Sequence, residues 1–293
     1  MGRGVRGWKP VRTIKSIAVL LTAFLSTVFG PRAFASRHLE GEAVVTAKKG
    51  VGHWGERLPS APDILGCSWY YNWTPFPADT AGRVKAGFIP MIWSGKDVTE
   101  AVMTHLKSSR YKALLGFNEP DGEGQANMTV AEAVALWPKL EATGLRLGSP
   151  GTTTGAPWLD EFMKEAKERK LRVDFLCLHW YGDITKPGPV GALRKYLEAY
   201  WNKYHLPIWL TEYSGADFDY HLRKTTVDDN ARFARESINM LESLPYVERY
   251  AWYAPLVSRH DRQYPAVGMC RRDGALTPVG LAWRSSPDKG VQR

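Results

Sequence analysis

A single-domain α/β fold of the (β/α)8 TIM-barrel type is what the sequence predicts, and three observations predict it. Short apolar, β-branched or aromatic runs alternate with longer segments of helical period, the order that builds parallel βα units. Eight such runs can be counted, the number that closes a barrel. The length that remains once a leader is set aside is close to the roughly 250 residues of that fold.

The leader is read at residues 1–35. Arg3, Arg6, Lys9, Arg12 and Lys15 precede an apolar run from Ser16 to Gly30, and Ala33-Phe34-Ala35 has the small-x-small pattern of a signal-peptidase site. The apolar run falls short of the roughly 18 residues of a spanning helix, so the expected product is secreted and extracellular, without a membrane anchor after cleavage. A short polar linker over 36–47, the barrel over 48–285 and a polar C-terminal tail over 286–293 complete the expected organisation.

Strands are expected at Gly50–Trp54, Leu65–Trp73, Gly87–Trp93, Ala113–Glu119, Arg146–Pro150, Asp174–Tyr181, Ile208–Tyr213 and Glu248–Tyr253. Between them, Asp97 with Glu100 and Thr129 with Glu132 have capping-box spacing. Ala131–Leu140, Trp158–Lys170, Val190–Tyr204 and Asp228–Leu244 carry apolar residues at three-to-four spacing. Pro138 should kink or interrupt its helix. The first two crossovers read as short or irregular.

The chain carries 39 Lys and Arg against 30 Asp and Glu, a formal charge of +9. Six of those basic residues and no acidic one lie in the leader, which leaves the rest at about +3. No basic run interleaved with aromatics remains, so a nucleic-acid partner is not expected. The three cysteines, Cys67, Cys177 and Cys270, lack the spacing of a disulfide framework or a zinc site and are expected to be packing residues, reduced or forming at most one incidental bridge.

Several strands end in polar or aromatic residues, and in a parallel barrel all those ends share the face where loops build the active site. Leu114-Leu115-Gly116-Phe117 runs into Asn118-Glu119, and Ile208-Trp209-Leu210 runs into Thr211-Glu212. A lone strand-end carboxylate is as well explained by a helix cap or an arginine partner. Two on nonadjacent strands can converge across the barrel mouth, which is what glycoside cleavage requires: one acid to protonate the leaving oxygen, one carboxylate to attack the anomeric carbon. Glu119 is read as general acid/base and Glu212 as nucleophile, with their carboxyl groups roughly 5–5.5 Å apart if the pair is retaining.

Flat indole and phenol rings match the C–H faces of pyranoses while their polar tips still hydrogen-bond, although most aromatics of any chain simply pack. Trp73, Trp93, Trp180 and Trp252 are the candidate sugar platforms, with Tyr213 beside them. His179 and Tyr181 share one face of their strand, Trp180 the other, and either of the two could orient a carboxylate. No phosphate loop or nucleophile elbow is present.

Seven ordered segments resemble glycoside hydrolase family 128, the endo-β-1,3-glucanases also called the glycosyl hydrolase catalytic core family. They are Ser68-Trp-Tyr-Tyr-Asn-Trp73, Phe88-Ile-Pro-Met-Ile-Trp93, Leu114-Leu-Gly-Phe-Asn-Glu-Pro-Asp121, Leu145-Arg-Leu-Gly-Ser-Pro150, Asp174-Phe-Leu-Cys-Leu-His-Trp-Tyr-Gly182, Pro207-Ile-Trp-Leu-Thr-Glu212 and Tyr246-Val-Glu-Arg-Tyr-Ala-Trp252. The resemblance implies a barrel with Glu119 ending the fourth strand and Glu212 the seventh. It implies Asn118 on the sugar 2-hydroxyl, Tyr181 near the nucleophile, and retaining cleavage of β-1,3-glucan with no metal or organic cofactor. The loop from Pro255 to Gly268, with Arg259, His260, Asp261 and Arg262, is more charged than the family leads one to expect. A monomer is expected. The rival readings are a retaining β-glycanase of another linkage and a silent glucan-binding protein.

Overall fold

The computed structural model describes residues 42–54, 58–78, 84–153, 157–216, 225–253, 255–256 and 266–288. The expected leader, the first half of the linker, Arg259 to Arg262 and the last five residues of the tail lie outside the described residues. No helix among the described residues is long and apolar enough to cross a membrane.

All eight expected strands form. They are β1 (Lys49–Gly52), β2 (Trp69–Tyr71), β3 (Gly87–Phe88), β4 (Ala113–Leu114), β5 (Arg146–Leu147), β6 (Leu176–Trp180), β7 (Ile208–Tyr213) and β8 (Val247–Trp252). Every pairing between them is parallel. Six strands make one ladder in the order β3-β2-β1-β8-β7-β6, and β4-β5 make a second. At the two seams stand single parallel bridges, Met91 with Leu115 and Gly148 with Phe175. Strands this short hold their order because both faces are buried: an inner cluster includes Trp69, Tyr71, Met91, Leu115, Phe175, Cys177, Trp209 and Ala251, and a larger outer cluster packs strands against helices.

The helices are α1 (Ala61–Ile64), α2 (Glu100–Ser108), α3 (Val130–Glu141), α4 (Trp158–Glu168), α5 (Pro189–Tyr204), α6 (Val227–Ser243) and α7 (Pro278–Ser285). The Thr129–Glu132 capping box forms at the start of α3. The Asp97–Glu100 box does not: Asp97 instead closes a box with Ser94 on a 3-10 turn, and Thr99 caps α2. Helix α3 runs through Pro138, which sits in its last turn, where only a few residues follow the missing N–H. Among its described residues the first crossover holds only the one-turn α1, as its irregular pattern suggests.

Lys48 and Lys49 fasten β1 to the C-terminal helices. The Lys48 ammonium donates to the Glu242 and Leu244 carbonyls at 3.1 and 2.9 Å, and Lys49 donates to those of Ser286 and Trp283 at 2.8 and 3.2 Å. Both thereby serve carbonyls that helices leave unpaired at their ends. Lys49 is fully buried, and burial pulls its pKa down to about 8. Hydrogen bonds continue past the expected domain limits of 48 and 285, with Val44 donating to Arg284 and Asp288 to Asn239. The three cysteines are free and buried.

Candidate active site

Strand alternation alone would turn Glu212 the wrong way. Trp209 belongs to the inner cluster, so strict period two would send Thr211 and Tyr213 inward and Glu212 toward the helices. A bulge in β7 reverses this. Leu178 pairs with Leu210 and His179 with Glu212, so one step on β6 spans two on β7. Against β8, Leu210 pairs with Tyr250 and Tyr213 with Trp252. The extra residue shifts the parity and re-aims the side chains that follow it.

Glu212 is buried and takes three donors. Its Oε1 accepts from the Trp73 indole N–H at 2.7 Å and the Tyr71 hydroxyl at 3.2 Å. Its Oε2 accepts from the Tyr181 hydroxyl at 2.5 Å. Burial first, and then the neighbouring Glu212, push both tyrosines well above the ordinary phenol pKa, so each remains a donor. Trp73 reaches its position through a left-handed backbone, φ 59°. Gly52 leaves the room, since a Cβ there would lie 2.9 Å from the Trp73 ring and 3.0 Å from the Tyr71 hydroxyl.

Glu119 stands on a different support. It follows β4 in a left-handed conformation, φ 46°, immediately before Pro120, whose ring restricts the residue it follows. Such strain costs about 1–3 kcal/mol and persists only where neighbours over-determine it. Here the Glu119 N–H donates to the Gly151 carbonyl at 2.6 Å and the Gly122 N–H to the Glu119 carbonyl at 2.9 Å. The Glu119 carboxylate meets His179 Nδ1 at 3.0 Å.

His179 turns the same ring nitrogen toward both carboxylates: Nδ1 lies 3.0 Å from Glu119 and 3.7 Å from Glu212. Burial disfavours its charged form, but Glu212, Glu119 and the more distant Asp121 outweigh burial, and its pKa rises above the ordinary value. Gly151 leaves space for the ring: a Cβ there would come within 2.9 Å of His179 Nε2. One ligand-type atom from each of Glu119, His179 and Glu212 lies within 4.8 Å of the others. A cation could use that spacing only by taking the Nδ1 lone pair, and the carboxylates favour a proton there instead.

The remaining expected site residues divide by face. Asn118 is buried, its Nδ2 sits 3.5 Å from Gln125 Oε1, and its Oδ1 meets no donor among the described residues, which leaves an acceptor for a substrate hydroxyl or water. Trp93 is half-buried against the inner cluster. Trp73 is buried and spends its N–H on Glu212, so it supports the carboxylate more than it offers an open platform.

Three expected sugar contacts are corrected. Trp180 stacks on Phe233 of α6 at 5.4 Å, because it alternates with the inward His179. Tyr213 is fully buried against Phe233, Trp252 and Trp283, because the β7 bulge turns it outward. Trp252, its partner across the ladder, is also fully buried and donates to the Val267 carbonyl. The aromatics on the carboxylates' side are instead Tyr71, fully buried with its hydroxyl on Glu212, and Tyr253 and Trp54, which pack around Trp73. Tyr253 sets its ring edge-on to Trp73 and Tyr181 at 5.8 and 5.7 Å. Trp54, 58% exposed, stacks on Trp73 at 4.4 Å. Parity with Trp69 and Ala251 points to Tyr71 and Tyr253 from the sequence; nothing local singles out Trp54.

Known proteins resemble this chain in sequence and fold. A family profile described as glycosyl hydrolase catalytic core matches residues 62–283. The chain superposes on a crystal structure of a subgroup I endo-β-1,3-glucanase of family 128 from Amycolatopsis mediterranei in complex with laminaritriose. The TM-score is 0.73 at 39% identity, covering 82% of this chain and 99% of that one. A subgroup II endo-β-1,3-glucanase from Sorangium cellulosum is 28% identical with a TM-score of 0.71, over 83% of this chain and all of that one. Alkali-sensitive linkage protein 1 of Schizosaccharomyces pombe is 29% identical over 199 residues, 65% of this chain; the chain spans 35% of the length of that relative. The chain belongs to the glycosyl hydrolase catalytic core family, glycoside hydrolase family 128, and is a glycoside hydrolase.

Proposed function

We propose that this glycoside hydrolase is a secreted, retaining endo-β-1,3-glucanase with Glu212 as nucleophile and Glu119 as general acid/base. The observation that carries the reading is the approach of the two carboxylates, with oxygens no more than 4.8 Å apart. An inverting pair needs roughly 6.5–9.5 Å to admit a water, a retaining pair about 5–5.5 Å. Glu212, fixed by three donors, attacks the anomeric carbon as the glycosidic C–O bond breaks and Glu119 gives its proton to the departing oxygen. Water then adds to the same carbon, its proton passes to Glu119, and the bond to Glu212 opens.

The linkage rests on the Amycolatopsis relative, an endo-β-1,3-glucanase bound to laminaritriose, and secretion on the leader pattern at residues 1–35. Early-time proton NMR of laminarin digestion should show the β-anomer first. Initial α-product overturns retention. Cleavage of carboxymethylcellulose with none of laminarin or curdlan overturns the linkage, and an N-terminus in culture medium other than Ser36 overturns the cleavage site.

A further inference from the structure

The loop that carries Glu119 has a fastening that the pairing of strands does not supply. One Asp121 oxygen accepts from the Thr153 backbone N–H at 2.9 Å, and the other accepts from the Thr153 hydroxyl at 2.7 Å. Thr153 lies two residues beyond Gly151, whose carbonyl holds the Glu119 N–H and whose Cα hydrogens leave room for His179. The β4 and β5 segments also meet at the bridge of Asn118 with Gly151. Asp121 therefore closes a ring of backbone around the left-handed Glu119: bridge at 118 and 151, hydrogen bond at 119 and 151, two-pronged carboxylate clamp at 121 and 153.

We infer that Asp121 is a positioning residue for the acid/base: by clamping Thr153 it holds the strained turn that aims the Glu119 carboxyl at the leaving oxygen. This rests on the reading of Glu119 as acid/base. A non-glycine residue at φ 46° before a proline relaxes once its neighbours stop over-determining it. A carboxyl displaced by about 1 Å loses on the order of a hundredfold in rate. The Asp121 charge also adds to those that favour the protonated form of His179 against its burial, and His179 touches the same Glu119 oxygen.

The experiment compares two substrates in the wild type and five variants. With laminari-oligosaccharides, whose leaving group needs a proton, Asp121→Ala should lower kcat/KM about tenfold to a hundredfold. With a dinitrophenyl β-laminaribioside, whose leaving group departs unprotonated, kcat/KM should change less than about twofold. The Kd for laminaritriose should hold within the same margin. Thr153→Val, which removes the hydroxyl and keeps the N–H, should give a smaller loss of the same kind. The double variant should be no worse than Asp121→Ala alone, because both remove one clamp. Equal losses on both substrates, a weakened laminaritriose Kd with intact turnover, or additive effects in the double variant overturn the inference. Asp121→Asn keeps one acceptor oxygen in place and is the variant to read if Asp121→Ala does not fold; it should show the same substrate split. Glu119→Gln is the control: if it fails to separate the two substrates, the acid/base reading falls, whereas separation by Glu119→Gln but by neither Asp121 variant refutes only the role of Asp121.

Discussion

The two carboxylates of this site reach one point from unlike supports. Glu212 sits within a six-residue, wholly buried strand, re-aimed by a bulge and gripped by three neutral donors that suit it to stay an acceptor. Glu119 stands outside any strand, on a left-handed turn before a proline, and among the described residues its carboxylate has one close partner, a histidine whose pKa its acidic neighbours raise. The difference follows from the work each would do. A nucleophile needs a fixed lone pair and no proton, so rigid donors serve it. A group that gives up a proton and takes one back needs a partner that can serve it in both states, and the imidazole of His179 on β6, able to donate or accept, is placed to do so.

The sharpest test of that contrast is to remove each carboxylate. Glu212→Ala should lower turnover by at least about 10⁴-fold, since no other group can form the covalent intermediate. Added azide should restore part of it and yield the inverted glycosyl azide; normal hydrolysis by the purified variant removes Glu212 from the mechanism. Glu119→Gln should cost about 10²–10⁴ in kcat/KM on glucan and little on activated aryl glycosides. A uniform loss on both would mean that Glu119 supports structure instead of donating a proton.

Trp252 tests the corrected aromatic set. Trp252→Ala should destabilise the fold by about 3–5 kcal/mol in urea titration, as expected for truncation of a buried indole, and leave the laminaritriose Kd of the folded fraction unchanged. Weakened binding at full stability would return Trp252 to the sugar site. Trp73→Phe keeps an aromatic ring and removes one charge-assisted hydrogen bond to Glu212, worth about 1.5–3 kcal/mol, so kcat should drop roughly ten- to a hundredfold. An unchanged kcat would show that the tyrosines alone hold the nucleophile.

The smallest effect concerns His179. Its folded pKa is raised above the ordinary 6.5, burial notwithstanding, by Glu212 and Glu119. The stabilisation from that proton is therefore fully present below about pH 6.5 and is lost as pH climbs through the raised value. Melting temperatures from pH 5.5 to 9 should fall more for the wild type than for His179→Gln. Parallel curves would mean that the ring is neutral throughout.

Much of the fold was legible because its signals are local. Each of the eight apolar runs holds a parallel strand, the Thr129–Glu132 box marked a helix start, and two glutamates stood out from their apolar approaches, although β3 and β4 stop at Phe88 and Leu114, short of the expected Trp93 and Glu119. The inward set Trp69, Tyr71 and Trp73 could also be followed by parity once one member was placed. The same rule misassigns β7, because one inserted residue exchanges the faces of Glu212 and Tyr213, and nothing in Ile208-Trp-Leu-Thr-Glu-Tyr213 announces it.

The sequence by itself determined the order of strands and helices and which residue types crowd the barrel mouth, since propensity, period and end signals act over a few neighbours. Only the tertiary structure decided that Trp180, Tyr213 and Trp252 face the helices while Tyr253 and the exposed Trp54 take the other side. It alone decided that Trp73 serves Glu212 and that His179 turns one nitrogen toward both carboxylates. The physical reason is that a bulge is defined by the pairing of two strands, and a hydrogen bond between residues 139 positions apart depends on the ladder that joins them.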